Sequence, residues 1–315
     1  MYYIGIDVGG TNIKAGLVLE SGAIISRAQT PTLGERAAEE ITFDICRLAK
    51  KVAEEAGVPF SEIHSMGIGL PSACSEETGY VHYSANINLS QFPLREAVQK
   101  EIPLPVHLAN DANCAALGEY YMLPEKAEDM VFITLGTGVG GGLILGGRLY
   151  AGFNGIAGEV GHIIIRHGGE ECGCGRRGCW EAYASVTALI RQTRRFAEEN
   201  PDSAIARQYM GHPEKISGKT AFDFARAGDP DGQKIVDRWI RYVADGIVDM
   251  INIFQPKILL IGGAISKEGD TLLTPIRQIA EAEMYKGGVP GTEIRMAALG
   301  NDAGLIGAAF LGKQG

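Results

Sequence analysis

The sequence predicts an α/β protein made of two similar lobes that flank a central cleft, one lobe carrying a cysteine-rich knuckle. Three observations lead there. Short apolar strands alternate with amphipathic helices along the chain. An offset of 126 residues carries Gly10-Thr11 onto Gly136-Thr137 and Gly16-Leu17-Val18-Leu19 onto Gly142-Leu143-Ile144-Leu145. Between Gly158 and Glu181, three cysteines fall in one glycine-rich loop, Cys172-Gly-Cys174-Gly-Arg-Arg-Gly-Cys179.

The 315 residues are 45% hydrophobic and 21% charged, which suits a globular protein with ample core in two domains. The expected division puts 1–117 and 300–315 in a smaller lobe and 118–299 in a larger one. A net charge of −9 leaves no basic stripe for nucleic acid; Arg191, Arg194 and Arg195 read as a solvated helix face. Cys46, Cys74 and Cys114 lie in apolar surroundings and read as reduced thiols. With no cleavable leader and no apolar run of membrane length, this composition points to the cytoplasm.

Tyr2 to Val8 reads as a strand ending in Gly9-Gly10-Thr11-Asn12. A second strand, Ala15 to Glu20, turns at Ser21-Gly22 into a third, Ala23 to Arg27. Glycine turns with exposed N–H groups and a threonine hydroxyl can cradle phosphate. Asp7, at the strand end, can hold Mg²⁺ through water. The repeat supplies a second such turn after strand Met130 to Leu135, at Gly136-Thr137-Gly138-Val139-Gly140. Two glycine hairpins can grip one nucleotide from both sides, an arrangement similar to the actin, hexokinase and Hsp70 group of ATPases with their ribonuclease H-like lobes.

Between the repeats, Ala37 to Ala56 reads as an amphipathic helix stopped at Gly57-Val58-Pro59. Ile63 to Leu70 is a strand leading into Pro71-Ser72, and Ser75 to Pro93 reads as polar loop. Pro105 to Ala109 is a short strand that delivers Asn110-Asp111-Ala112-Asn113 to a helix start, where an aspartate serves as a cap. A helix follows from Ala182 to about Glu199. Residues 200–230 show one short helix, Thr220 to Ala227, and no chemistry. Pro230 to Phe254 is a long helix with one buried face. Lys257 to Ile261 is a strand, and the Gly262-Gly263 that follows, before a helix, lets a flat ring lie against backbone. Ile294 to Leu299 is a last strand, and Asp302 to Leu311 a small-residue helix that packs back on the first lobe.

Three thiolates and one imidazole form a common tetrahedral zinc set. Cys172, Cys174 and Cys179 supply the thiolates and His162 the imidazole. His167 is the alternative, on the opposite face of a strand expected through 162–166. The clamp would fix two flanking carboxylates, Glu159 and Glu181, which suit the recognition of sugar hydroxyls.

Gly158-Glu-Val-Gly-His162 followed by Cys172-x-Cys-Gly-x-x-Gly-Cys179-x-Glu181 resembles the signature of the ROK family of sugar kinases and sugar-responsive repressors, and the likeness runs from Ile4 to Leu311. The resemblance implies an actin-like fold and an ATP-dependent hexose kinase of glucokinase type that phosphorylates a 6-hydroxyl. N-acetylmannosamine, N-acetylglucosamine and fructose kinases are alternatives. A repressor is disfavoured, because the chain starts at the first strand with no helix-turn-helix. The resemblance makes Asp111 the catalytic aspartate. Asn86, Asn110, Glu159, His162 and Glu181 would orient the sugar. Asp7, Gly9, Gly10, Thr11, Asn12, Lys14, Gly136, Thr137 and Gly138 would hold the phosphates of ATP, and Gly262 and Gly263 its adenosine. Family members often carry glycine where this chain has Ser72 and Asn88, and are commonly homodimers.

Overall fold

The computed structural model describes residues 1–125, 127–209, 211–285 and 289–314. The chain opens with β1 (Tyr2–Val8), β2 (Asn12–Leu19) and β3 (Ile24–Pro31), followed by α1 (Ala38–Glu55) and β4 (Ile63–Leu70). A small hairpin of β5 (Ser72–Ser75) and β6 (Tyr80–Ser84) precedes α2 (Leu94–Gln99), β7 (Val106–Asn110) and α3 (Asp111–Met122). Then come β8 (Met130–Leu135), β9 (Val139–Leu145), β10 (Arg148–Leu149), α4 (Glu181–Ala184) and α5 (Val186–Glu199). The remainder is α6 (Ala204–Gln208), α7 (Thr220–Arg226), α8 (Pro230–Phe254), β11 (Ile258–Gly262), α9 (Asp270–Glu283), β12 (Glu293–Met296) and α10 (Ala303–Ala309).

Two five-stranded sheets have the orders β3-β2-β1-β4-β7 and β10-β9-β8-β11-β12. Position by position, a meander of hairpins leads into later strands, so the repeat seen in the sequence is a repeat of topology. The chain divides into two compact units, Met1–Phe132, Gly141–Gly158 and Ala298–Gly315 in the first, Ile133–Gly140 and Glu159–Ala297 in the second. The boundary expected between 117 and 118 falls inside α3.

In the first unit, β1 pairs antiparallel with β2 and parallel with β4. β2 and β3 run further than expected because their ladder continues out to Asn12 opposite Pro31, with polar residues on the exposed face. α1 buries Ile41, Ile45, Leu48, Ala49 and Val52, the spacing of one helical face. α10 crosses β1 and β4 at glycines. A Cβ at Gly5 would overlap the Leu305 carbonyl, and one at Gly67 the Ala308 carbonyl. Backbone thus meets backbone, which is why this helix is built of small residues. The stretch expected to be loop holds the β5–β6 hairpin, paired Ser72 to Ser84 and Ser75 to Tyr80. Buried Ser72 donates to Ser84 Oγ at 2.8 Å, giving the serine a structural role there.

In the second unit, the helix expected from Ala182 to Glu199 is broken at Ser185. Its backbone is extended (φ −68°, ψ 160°), and its hydroxyl accepts the Ala188 N–H at 3.0 Å to cap α5. α8 starts with an Asp229 cap to Gly232 N–H at 2.8 Å and buries Ile235, Trp239, Val243, Ile247 and Ile251. β12 is shorter than expected. Beyond Met296 the Ala298 and Leu299 N–H groups go to the Glu119 carboxylate, at 2.9 and 2.8 Å, instead of to a ladder. α9 is the helix expected, without bounds, after Gly262-Gly263, and it starts only at Asp270. No described helix is long and apolar enough to cross a membrane.

Candidate functional site

The first unit gathers two carboxylates at one end of its sheet. Asp7 lies opposite Gly69 in the parallel β1–β4 pair, and Gly69 lies opposite Ala109 in the parallel β4–β7 pair. Asp111 follows two residues past Ala109. Both acids therefore sit at the carboxyl ends of parallel strands, where open α/β sheets bind ligands, separated laterally by about 10 Å at ~4.8 Å per strand. Asp7 is half-buried, and burial pushes its carboxyl above the usual range. Lys14, its cross-strand partner, opposes that shift with Nζ 3.5 Å from Oδ2.

At the β7–α3 junction the capping role goes to Asn110. Its Oδ1 accepts the N–H groups of Ala112 (2.9 Å) and Asn113 (3.4 Å). Asp111 Oδ1 also accepts the Ala112 N–H, at 2.8 Å, which fixes the carboxylate at the first turn of α3. Cys74 and Cys114 lie buried nearby. Burial above all, and the negative charge of Asp111 in part, raises the Cys74 thiol to about 12 and Cys114 well above its ordinary value. Both are inert thiols.

The Gly9–Asn12 turn closes through Gly9 N–H to Asn12 O at 2.9 Å, with Gly10 and Thr11 exposed and open space where a Gly10 Cβ would stand. Thr32, fully buried, braces this turn. Its hydroxyl donates to the Gly9 carbonyl at 2.6 Å and its N–H to Thr11 O at 2.9 Å. Arg36 in turn donates to Thr32 O and to Asp44 Oδ2, each at 2.8 Å. Sequence reasoning missed Thr32; its only signal was a lone threonine after a strand. Asn86 is exposed and its side chain bonds to no described residue. Asn88 holds the neighbouring turn, donating through Nδ2 to Arg36 O at 3.2 Å.

The second unit gathers the knuckle. One ligand atom from each of His162, Cys172, Cys174 and Cys179 lies within 4.8 Å of every other. Cys174 and Cys179 Sγ are 3.7 Å apart, and Cys172 Sγ is 3.6 Å from His162 Nδ1. A tetrahedron with ~2.3 Å Zn–S and ~2.0 Å Zn–N bonds requires separations of about 3.5–3.8 Å. The donor set and its spacing both fit that ion. His162 does not lie on a strand, however. Val160–His162 is a 3-10 turn, and only Ile164 pairs, singly, with Cys179. Glycine turns compete with ladder pairing here, as Gly178 O takes both the Ile165 and Arg166 N–H groups. The choice of His162 over His167 rests on that turn, which aims Nδ1 at Cys172.

Trp180 anchors the knuckle to the core. It is fully buried, with Nε1 donating to Tyr242 O at 2.8 Å, and Gly246 on α8 makes room for its ring. Burying roughly 200 Å² of indole contributes on the order of 5 kcal/mol. That plug stands between Cys179 of the donor cluster and Glu181. Glu181 Oε2 accepts the Val139 N–H at 3.0 Å, and its Oε1 lies 3.7 Å from Cys172 Sγ. Glu159 is exposed at the head of the 3-10 turn.

The Gly136–Gly138 turn closes by Gly136 N–H to Gly138 O at 3.0 Å, and Gly136 O accepts the Val186 N–H at 2.9 Å. Thr137 is exposed, like Thr11 in the first turn. Gly262 ends β11. Gly263 has φ +90°, and a Cβ there would overlap the Leu135 carbonyl, so close packing alone demands glycine at that position.

The ROK family profile matches residues 3–315. A glucokinase of Halalkalibacterium halodurans is 39% identical over 99% of this chain and 95% of its own. An N-acetylmannosamine kinase of Yersinia pseudotuberculosis is 32% identical over 98% of this chain and 97% of its own. The solved ROK glucokinase of Streptomyces griseus, in complex with glucose and AMPPNP, is 37% identical and superposes with a TM-score of 0.82, covering 100% of both chains.

Proposed function

The chain belongs to the ROK family, and from that premise we propose that it is an ATP-dependent glucose kinase transferring the γ-phosphate to the 6-hydroxyl. The observation that carries this reading is the likeness, over the whole of both chains, to the glucokinase solved with glucose and AMPPNP.

Phosphoryl transfer asks for positioning and charge neutralisation more than covalent chemistry. Asp111, held through Oδ1 at the start of α3, accepts the proton as the sugar oxygen attacks the γ-phosphorus and the bond to ADP breaks. Asn110 ties that turn together while its carboxamide faces the sugar. Glu159, His162 and Glu181 accept and donate hydrogen bonds around the ring, with Asn86 at its edge. His162 would serve twice, one ring nitrogen toward the metal and the other toward the sugar. Gly9, Gly10, Thr11, Asn12, Lys14, Gly136, Thr137 and Gly138 would hold the phosphates of ATP. Gly262 and Gly263 back the adenosine. Asp7 would hold Mg²⁺ through water, supplying charge neutralisation on the phosphates. Zn²⁺ would be held by His162, Cys172, Cys174 and Cys179 and would serve as a structural staple.

Reduced knuckle thiols suit the cytoplasm, and a homodimer is part of the proposal. The specific rival is N-acetylmannosamine, given the relative at 32% identity. A coupled ADP-release assay over glucose, mannose, fructose, N-acetylglucosamine and N-acetylmannosamine tests the choice. Glucose should have the highest kcat/KM; a maximum at an N-acetylhexosamine overturns it.

A further inference from the structure

The second unit carries an open surface pocket of about 520 Å³ lined by five arginines, the exposed Arg166, Arg177, Arg195 and Arg238 and the half-buried Arg191, against two carboxylates, Glu170 and Glu199. In a chain of net charge −9, this is a local inversion of sign. The α5 arginines keep the solvated face expected of them, and two of them also line this pocket. Arg194 does lie on the surface, donating to Pro213 O at 3.0 Å. Arg191 and Arg195, four residues apart and so on one helical face, line the pocket, with Arg195 still exposed. Arg238 and Tyr242, also four apart, reach the same pocket from α8.

The carboxylates do not neutralise it. Glu170 pairs with Arg195 at 2.8 Å, and Arg177 pairs with Glu171 at 2.6 Å. Arg166 donates to Tyr242 OH at 3.1 Å, and Arg191 to the Ala182 carbonyl. Arg238 makes no hydrogen bond or ion pair with any described residue. Several guanidinium groups around one small volume repel one another, a cost that a bound dianion would remove. Guanidinium forks match phosphate oxygens two at a time. The pocket is open to solvent and its volume admits a small molecule. Tyr183 and Tyr242, with ring centroids 5.0 Å apart, add an aromatic wall for the rest of such a ligand.

We propose that this pocket is a second ligand site, separate from the kinase residues, that binds a small phosphate ester and passes its occupancy to the metal knuckle. The link is structural. Tyr183 OH accepts the Glu170 N–H at 2.6 Å, and Glu170 O accepts the Gly178 N–H at 2.8 Å, one residue from Cys179. Arg191 holds the carbonyl of Ala182, next to Glu181. A phosphate that draws Arg191 away releases the first turn of α4 and shifts Glu181. The binding claim is independent of the reaction; the effect on glucose rests on the kinase reading.

The full chain, alone and saturated with glucose and AMPPNP, is titrated by calorimetry with inorganic phosphate and with fructose 1,6-bisphosphate. Saturable binding that survives glucose and AMPPNP, tighter for the ester, is expected. The double variant Arg195→Ala/Arg238→Ala should weaken it at least tenfold while its melting curve stays two-state and close to wild type. Binding that is absent, or unchanged in the double variant, overturns the site. Equal affinity for inorganic phosphate overturns the ester assignment. A double variant that changes the oligomeric state marks the pocket as a contact between copies, which also overturns it. In the kinase assay, ester at saturation should shift the KM for glucose in wild type only; a constant KM overturns the link to Glu181.

Discussion

Glu181 Oε2 accepts the backbone N–H of Val139 at 3.0 Å. That bond fastens the carboxylate beside the knuckle to the residue that ends the second glycine turn. The carboxylate proposed to bind sugar and the turn proposed to hold phosphate are thus one mechanical piece. Gly138 makes it possible, because a Cβ there would overlap Glu181 Oε2. Gly138→Ala should leave a folded protein in which both groups are displaced. Its kcat/KM for glucose should fall at least about tenfold, or ~1.4 kcal/mol of transition-state stabilisation. Wild-type steady-state kinetics in this variant would show that the contact is incidental.

The four donor atoms of the knuckle predict one zinc per chain, measured by elemental analysis of protein purified without added metal. Cys174→Ser leaves three ligands and should lose the ion. If the loss is about 3 kcal/mol, the melting temperature should drop by roughly 6–12 °C. The affinity for glucose should fall with it, because Cys179, Trp180 and Glu181 are consecutive. A zinc-free variant with unchanged glucose affinity would separate the staple from the sugar.

Thr32 braces the turn proposed to hold the ATP phosphates, through the Gly9 carbonyl it holds at 2.6 Å. Thr32→Val keeps the shape and removes the hydroxyl, a loss of about 1 kcal/mol. The KM for ATP should rise while that for glucose stays constant. Equal effects on both substrates would mean general destabilisation instead.

Behind Thr32, Asp44 receives Arg36 at 2.8 Å and Arg47 at 2.6 Å. Burial pushes its carboxyl up, but the hydrogen bonds from Arg47 and Arg36 prevail and leave it below its ordinary value. A carboxyl depressed on folding contributes stability that is present above its unfolded pKa of about 3.9 and is lost as pH falls through the folded value. Asp44→Asn should therefore cost on the order of 2 kcal/mol at neutral pH. Urea unfolding should show the gap to wild type closing below about pH 4. A gap independent of pH would contradict the assignment.

Much of this was legible in the chain because the signals were local. β4, β8 and α8 run over the residues their apolar patterns mark, and the knuckle ligands are crowded into one segment with His162 ten residues before Cys172. The β5–β6 hairpin was hidden because its strands are short and its turn, Glu76-Glu77-Thr78-Gly79, is polar. The bounds of α9 were hidden by Pro275 inside an otherwise amphipathic stretch that buries Leu272, Leu273 and Ile276. Thr32 and the arginine pocket depend on residues distant in sequence. Asn110 shows another limit: a carboxamide beside an aspartate at a helix start gives no hint of which one caps.

The central claim is that Asp111 takes the proton from glucose. The direct measurement is kcat for Asp111→Asn beside its glucose affinity by calorimetry. Turnover should fall by about 10²–10⁴-fold or more, the span of a general base, with glucose bound as in wild type. Turnover near wild type would remove Asp111 from that role.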